Sequence, residues 1–106
     1  MFTRVVEVTS KPGKARDLSR TIHDKVITLL KNQPGFVDEV VLISEENPDH
    51  ILALSFWNTK QDADKYNREQ FPRVTEFIQN LSEGTPKVKT FNVEQSTIQA
   101  ISVKAA

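Results

Sequence analysis

The sequence predicts an α+β fold of the ferredoxin-like, split βαβ class, in the order strand, helix, strand, strand, helix, strand. Three observations predict it. The chain opens on an alternating, β-branched stretch; two apolar runs of strand length near its middle are joined by a short turn; and two segments of helical periodicity, each closed by proline or glycine, flank that pair. A single sheet with both helices on one face is the simplest closure of this order.

The first strand is "FTRVVEVT", with Phe2, Arg4, Val6 and Val8 on one side and Thr3, Val5, Glu7 and Thr9 on the other. Pro12 and Gly13 in "SKPGK" then suit a turn. Leu18, Ile22, Val26 and Leu29, widened by Ile27 and Leu30, form the apolar stripe of an amphipathic helix whose charges lie mostly elsewhere. "NQPGF" ends it, because Pro34 pushes Gln33 out of the α region and Gly35 tolerates a backbone angle other residues avoid.

"FVDEVVLIS" and "HILALSFWN", separated by "EENPD", read as an antiparallel hairpin. The second run is apolar on both sides: Ile51, Ala53, Ser55 and Trp57 face one way, Leu52, Leu54 and Phe56 the other. Helices can cover only one face, so a second copy of the sheet is expected to cover the other in a homodimer. Thr59 is placed to cap the next helix, with Asp62 completing an acidic capping box. Ala63, Tyr66 and Asn67 give that helix its inward side as far as Phe71, where Pro72 marks a break or the first turn of another helical piece carrying Val74, Phe77, Ile78 and Leu81. "SEGTP" is expected to close it, and "KVKTFNVEQST" to form the fourth strand. The tail "IQAISVKAA" reads as a short extra strand or a mobile end, outside a core of about residues 2–95 in a single domain spanning 1–106.

A chain of 106 residues is the size of one domain. With 14 basic and 14 acidic residues there is no net charge to attract nucleic acid or an anionic membrane. The lack of cysteine removes disulfides, thiolate nucleophiles and zinc thiolate sites, and fits a reducing compartment, so a cytoplasmic location is expected. "MFTRVVEV" has no basic segment followed by a long apolar core, and no run approaches the ~20 apolar residues of a membrane span.

The opening strand into "KPGK", "QPGFVDEVVLIS", "ILALSFW", and "TKQDADKYNREQF" running to "FPRVTEFI" together resemble the antibiotic biosynthesis monooxygenase family, over Phe2 to about Val93. The resemblance implies a dimeric α/β barrel and a function among cofactor-free oxygenation of phenols or quinols, haem degradation, action on small signalling molecules, or none assigned. The haem-degrading branch uses an Asn on the first strand, a Trp in the second helix and a His beyond it as iron ligand. The corresponding places hold Val6, Lys65 or Tyr66, and Thr75, so that ligand is lacking.

Cofactor-free oxygenation needs an electron-rich substrate that can be deprotonated, a base, donors for the oxyanion and a dry cavity. His50 has the intrinsic chemistry of a base but sits beside a predicted turn, and His23 lies on the polar side of the first helix. Trp57 could aim its indole N–H at a substrate oxygen or be a core or interface aromatic with that donor satisfied. Tyr66 could orient or protonate a substrate from the second helix, or merely pack. Asn58 belongs to the pocket or to the helix entry. Arg73, or alternatively Arg4, could hold an anionic substrate or be a surface charge. Phe56 and Phe71, with Phe77 and Phe91, are walls or core. Nothing in the sequence has the spacing of a metal site, and no cofactor is expected.

Two functions are therefore open: a small oxygenase acting on a phenolic or quinol-like aromatic, with His50 and Tyr66 in catalysis, or a non-catalytic dimeric module binding a small apolar ligand or a protein. A void of roughly 300 Å3 lined by polar donors would favour the first, and a solidly filled interior the second.

Overall fold

A computed structural model describes residues 1–101. The elements run β1 (Phe2–Ser10), α1 (Ala15–Thr21), a π-helical stretch (Ile22–Val26), α2 (Ile27–Lys31), β2 (Phe36–Ile43), β3 (His50–Trp57), α3 (Lys60–Glu69), α4 (Phe71–Ile78) and β4 (Ser82–Asn92). The strands form one antiparallel sheet in the order β2-β3-β1-β4. That order, with the helices on one face, is the predicted ferredoxin-like α+β arrangement.

Alternation on β1 and β3 builds the core. Phe2, Val6 and Val8 join Ile51 and Trp57 on the covered face, and Leu18, Ile22, Val26, Leu30, Ala63, Tyr66, Val74 and Ile78 meet them from the helices. The opposite face carries Val40 at 38%, Leu42 at 46% and Phe91 at 53% exposure, with Leu52, Leu54 and Phe56 half-buried among them.

The first helical segment differs from a regular α-helix, and its spacing explains why. Its buried residues Leu18, Ile22, Val26 and Leu30 recur every four positions. In an α-helix a strict spacing of four drifts around the axis by about 40° per step. The wider π turn over Ile22–Val26 takes up that drift, so that all four meet one sheet.

β4 begins at Ser82, so "SEGTP" is strand and not loop. The segment is irregular: pairing with β1 shifts between Glu7 and Thr9, Gly84 has φ +69°, and Pro86 is tolerated because β4 is an edge strand. Of the tail "IQAISVKAA", the described part holds no strand and buries Ile101; residues 102–106 lie outside the described residues. No helix among the described residues is long and apolar enough to cross a membrane.

Candidate functional site

Between the sheet and the helices lies a cavity of about 30 Å3, lined by Val6, Val8, Ile22, Val26, Val74 and Ile78 at its apolar end. Its polar wall is Arg4, Glu39, Ser55 and Tyr66, with Phe71 beside them.

Register brings the polar wall together. Arg4 of β1 and Glu39 of β2 both pair with Ser55 of β3, so the three form one row across the sheet. Arg4 faces the helices by simple alternation with Phe2, Val6 and Val8, and is only 2% exposed. Glu39 faces them because of a β-bulge: Phe36 pairs with Trp57 and Asp38 with Phe56, leaving Val37 as the extra residue. One inserted residue turns every later side chain to the opposite face, so Glu39 and Val41 join the side of Phe36.

Arg4 is held from above by α3 and the first residue of α4. Its Nη2 donates to Asn67 Oδ1 at 2.8 Å, and its guanidinium carbon lies 5.0 Å from the ring centroid of Tyr66 and 4.6 Å from that of Phe71. Such stacking on aromatic faces suits a weakly hydrated planar cation. Burial lowers the pKa of Arg4, opposed by Tyr66, Glu39 and Asp64, and a guanidinium stays protonated regardless.

Glu39 is pushed up to about 7, chiefly by burial and further by Asp38, while Arg4 pulls it down. Burial raises the Tyr66 phenol as well, against the pull of Arg4, so Tyr66 is a neutral donor throughout the physiological range. The site thus holds a carboxyl that exchanges its proton near neutrality, a permanent cation and a neutral phenol. By type these groups suit a base, an oxyanion partner and a proton donor lining one cavity.

The residues singled out from the sequence fall in several places. Tyr66 and Phe71 line the cavity. Trp57 is 0% exposed and stands behind Tyr66, with ring centroids 5.0 Å apart, and packs edge-on against Phe36 at 5.6 Å. Its Nε1 donates to Ser55 Oγ at 2.9 Å. His50 opens β3 at the far end from Trp57, on a surface groove with Leu42, Ile43, Ser44 and Leu52. Phe56 faces the uncovered side of the sheet, paired with Asp38 and Thr3. Asn58 is exposed and donates its backbone N–H to Gly35 O at 2.8 Å, and Arg73 is exposed in the first turn of α4. Thr59 caps α3 as its sequence suggests, accepting from the Asp62 backbone N–H at 3.1 Å and donating to Asp62 Oδ2 at 2.9 Å.

Sequence reasoning missed Glu39 outright. Its only signal is an acid inside an apolar strand run, and strict alternation from Phe36 would turn it away from the helices. Among the described residues no cluster of three or more His, Cys, Asp or Glu could hold a metal ion.

Residues 1–80 match the family model described as antibiotic biosynthesis monooxygenase. The chain is also similar to solved structures. With SnoaB, a cofactor-independent oxygenase from Streptomyces nogalater, it shares 17% identity at a TM-score of 0.74, over 92% of this chain and 97% of that one. A structure from Bordetella bronchiseptica named for the same family matches at TM-score 0.76 and 14% identity, over 89% and 97% of the two chains. A conserved protein from Methanosarcina mazei matches at 0.70 and 19%, over 86% and 91%. At these identities the structures establish likeness of fold. No curated protein sequence matches the chain.

Proposed function

Because the chain belongs to the antibiotic biosynthesis monooxygenase family, we propose that it is a monooxygenase working without metal or flavin on a phenolic aromatic. The observation that carries this reading is the row Arg4, Ser55, Glu39 beneath the helices. A half-buried carboxyl and a buried guanidinium that share a cavity without pairing destabilise a fold, and such groups collect where chemistry needs them. The likeness of fold to a cofactor-independent oxygenase supports the same reading.

In the proposed reaction Glu39 takes the proton of the substrate hydroxyl, and Arg4 holds the phenolate oxygen. The anion reduces dioxygen directly, and the ring carbon para to the hydroxyl forms a C–O bond to a peroxide, which takes the proton back from Glu39 to become a hydroperoxide. Glu39 then removes that carbon's hydrogen as a proton while the O–O bond breaks, and the departing hydroxide, hydrogen-bonded by Tyr66, takes that proton up as water. One phenol and one O2 give one quinone and one water. Trp57 backs Tyr66, and Phe71 forms the wall that swings. It must swing, since about 30 Å3 is the share of one water molecule and far below the size of an aromatic ligand. Phe71 follows the break at Gln70 and is half-buried, which leaves it room to turn outward. His50 has no part in this scheme.

We also propose that the uncovered sheet face pairs with its copy in a homodimer. Val40, Leu42 and Phe91 are exposed there, and Asp38 at the β2 edge and Lys87 at the β4 edge have opposite charge, which suits a two-fold pairing.

The small volume favours a second reading, a binding module that closes on its ligand without chemistry. Oxygen consumption with a panel of hydroxylated aromatics of the anthrone and naphthol type, without added cofactor, separates the two. Saturable uptake with one water formed per quinone supports the oxygenase. Saturable binding with no uptake supports the module.

A further inference from the structure

Arg4 and Glu39 are opposite in charge, line one cavity and flank the same serine, yet they make no ion pair. In an interior of low effective dielectric such charges draw together unless something restrains them. The contacts that could do so come from α3 and the start of α4. Tyr66 and Phe71 hold the guanidinium by its faces, along which a cation slides readily. The hydrogen bond from Nη2 to Asn67 Oδ1 at 2.8 Å is directional and joins residues far apart in sequence, and a hydrogen bond with the Tyr66 side chain supplements it.

We infer that Asn67 is a positioning residue: it tethers Arg4 to α3 and so prevents the guanidinium from closing onto Glu39. A neutral amide suits this task. A carboxylate in its place would neutralise Arg4, and an apolar side chain would release it. With the tether in place, Glu39 keeps the proton affinity of a base, and the gap between the two charges stays open for an acidic hydroxyl. This last consequence rests on the oxygenase reading, whereas the tether itself can be tested without any substrate.

Arg4 from β1 and Tyr66 from α3 face Glu39, and Asp38, its neighbour on β2, acts on it from the other side of the sheet. Asp64, also on α3, acts on Arg4 and is itself engaged by Lys60 at 3.3 Å. Of these, only Arg4 is expected to move when Asn67 is changed. The experiment follows the Glu39 side-chain carboxyl by carbon-13 NMR across roughly pH 4 to 9 in the wild type, Asn67→Ala and Asn67→Asp. Asn67→Ala is expected to lower the titration midpoint by about one pH unit or more, as the freed Arg4 closes on the carboxylate. Asn67→Asp is expected to leave the midpoint at or above that of the wild type, because the new carboxylate keeps Arg4 and adds negative charge. A purely structural role for Asn67 would not split the two variants in this way. Because Asn67 is exposed, both should fold, and Asn67→Ser replaces Asn67→Ala if that variant does not. The inference is overturned if Asn67→Ala leaves the midpoint unchanged or raises it, if both variants lower it, or if wild-type Glu39 titrates in the ordinary carboxyl range. Absence of turnover on every phenol would count against the proposed reaction and leave the tether standing.

Discussion

Trp57 donates its indole N–H to Ser55 Oγ at 2.9 Å, and both residues are buried. The bond occupies the donor that a substrate oxygen would otherwise use, so Trp57 contributes a wall and not a hand. Ser55→Ala leaves that donor without a partner in a dry interior, and a loss of about 1–3 kcal/mol in unfolding free energy is expected. The double variant Ser55→Ala, Trp57→Phe should lose less than the sum of the two single changes. Strict additivity in urea unfolding would contradict the pairing.

Glu39 makes stability depend on pH in a definite direction. Its carboxyl sits at about 7 in the folded chain against the usual 4.5, so between those values the folded state binds more protons than the unfolded one. The stabilising effect of the neutral acid is full below the lower value and lost as pH rises through the upper one, amounting to at most about 3 kcal/mol. Glu39→Gln should abolish this slope and be the more stable protein above neutrality. Urea midpoints at about pH 5 and about pH 8 test it; a wild-type chain that gains stability over that interval relative to the variant would refute the assignment.

Gly35 joins the end of the first helical segment to β2 with φ +77°, and a Cβ there would collide with the Asp62 carboxylate, Asp62 being the residue that Thr59 caps. Gly35→Ala should therefore cost more than the roughly 1 kcal/mol of an unfavourable backbone angle alone. Gly13, also at positive φ but with open space around it, provides the comparison. Thermal unfolding should rank Gly35→Ala well below Gly13→Ala.

Arg4→Lys keeps a positive charge but loses the planar fork that meets Asn67 and stacks on Tyr66 and Phe71. Once a substrate is in hand, kcat/KM should fall by about 100-fold. A variant as active as the wild type would remove Arg4 from the reaction.

Leu42 and Val40 on the uncovered sheet face supply a test of assembly. Leu42→Lys should shift the molar mass found by light scattering from dimer to monomer. A wild-type chain that is already monomeric would sink the proposed pairing.

The fold was legible in the sequence because it rests on periodicity. Alternation from Phe2 to Val8 assigns β1 its faces, and Thr59 with Asp62 announces α3. The site was legible in part. Tyr66 and Phe71 follow from helical spacing, and Arg4 from its alternation with Val6 and Val8. Glu39 was not, because the bulge at Val37 depends on how β2 pairs with β3 and leaves no local mark beyond one acid in an apolar run. His50 and Trp57 stand outside the polar wall of the cavity for a related reason: residue type advertises chemistry, but register puts His50 at the other end of β3 and Ser55 beside the Trp57 donor. The π turn was equally hidden, since a spacing of four agrees with an α-helix over two steps and departs from it over three.

The most direct test of the account is the pH dependence of oxygen consumption by the wild type and Glu39→Gln on a phenol that the wild type turns over. If Glu39 is the base, the wild-type rate rises with pH to a plateau with a midpoint near 7, and the variant is flat and slower by about 100-fold or more. A Glu39→Gln protein that keeps the wild-type rate and the wild-type pH profile would contradict the central claim.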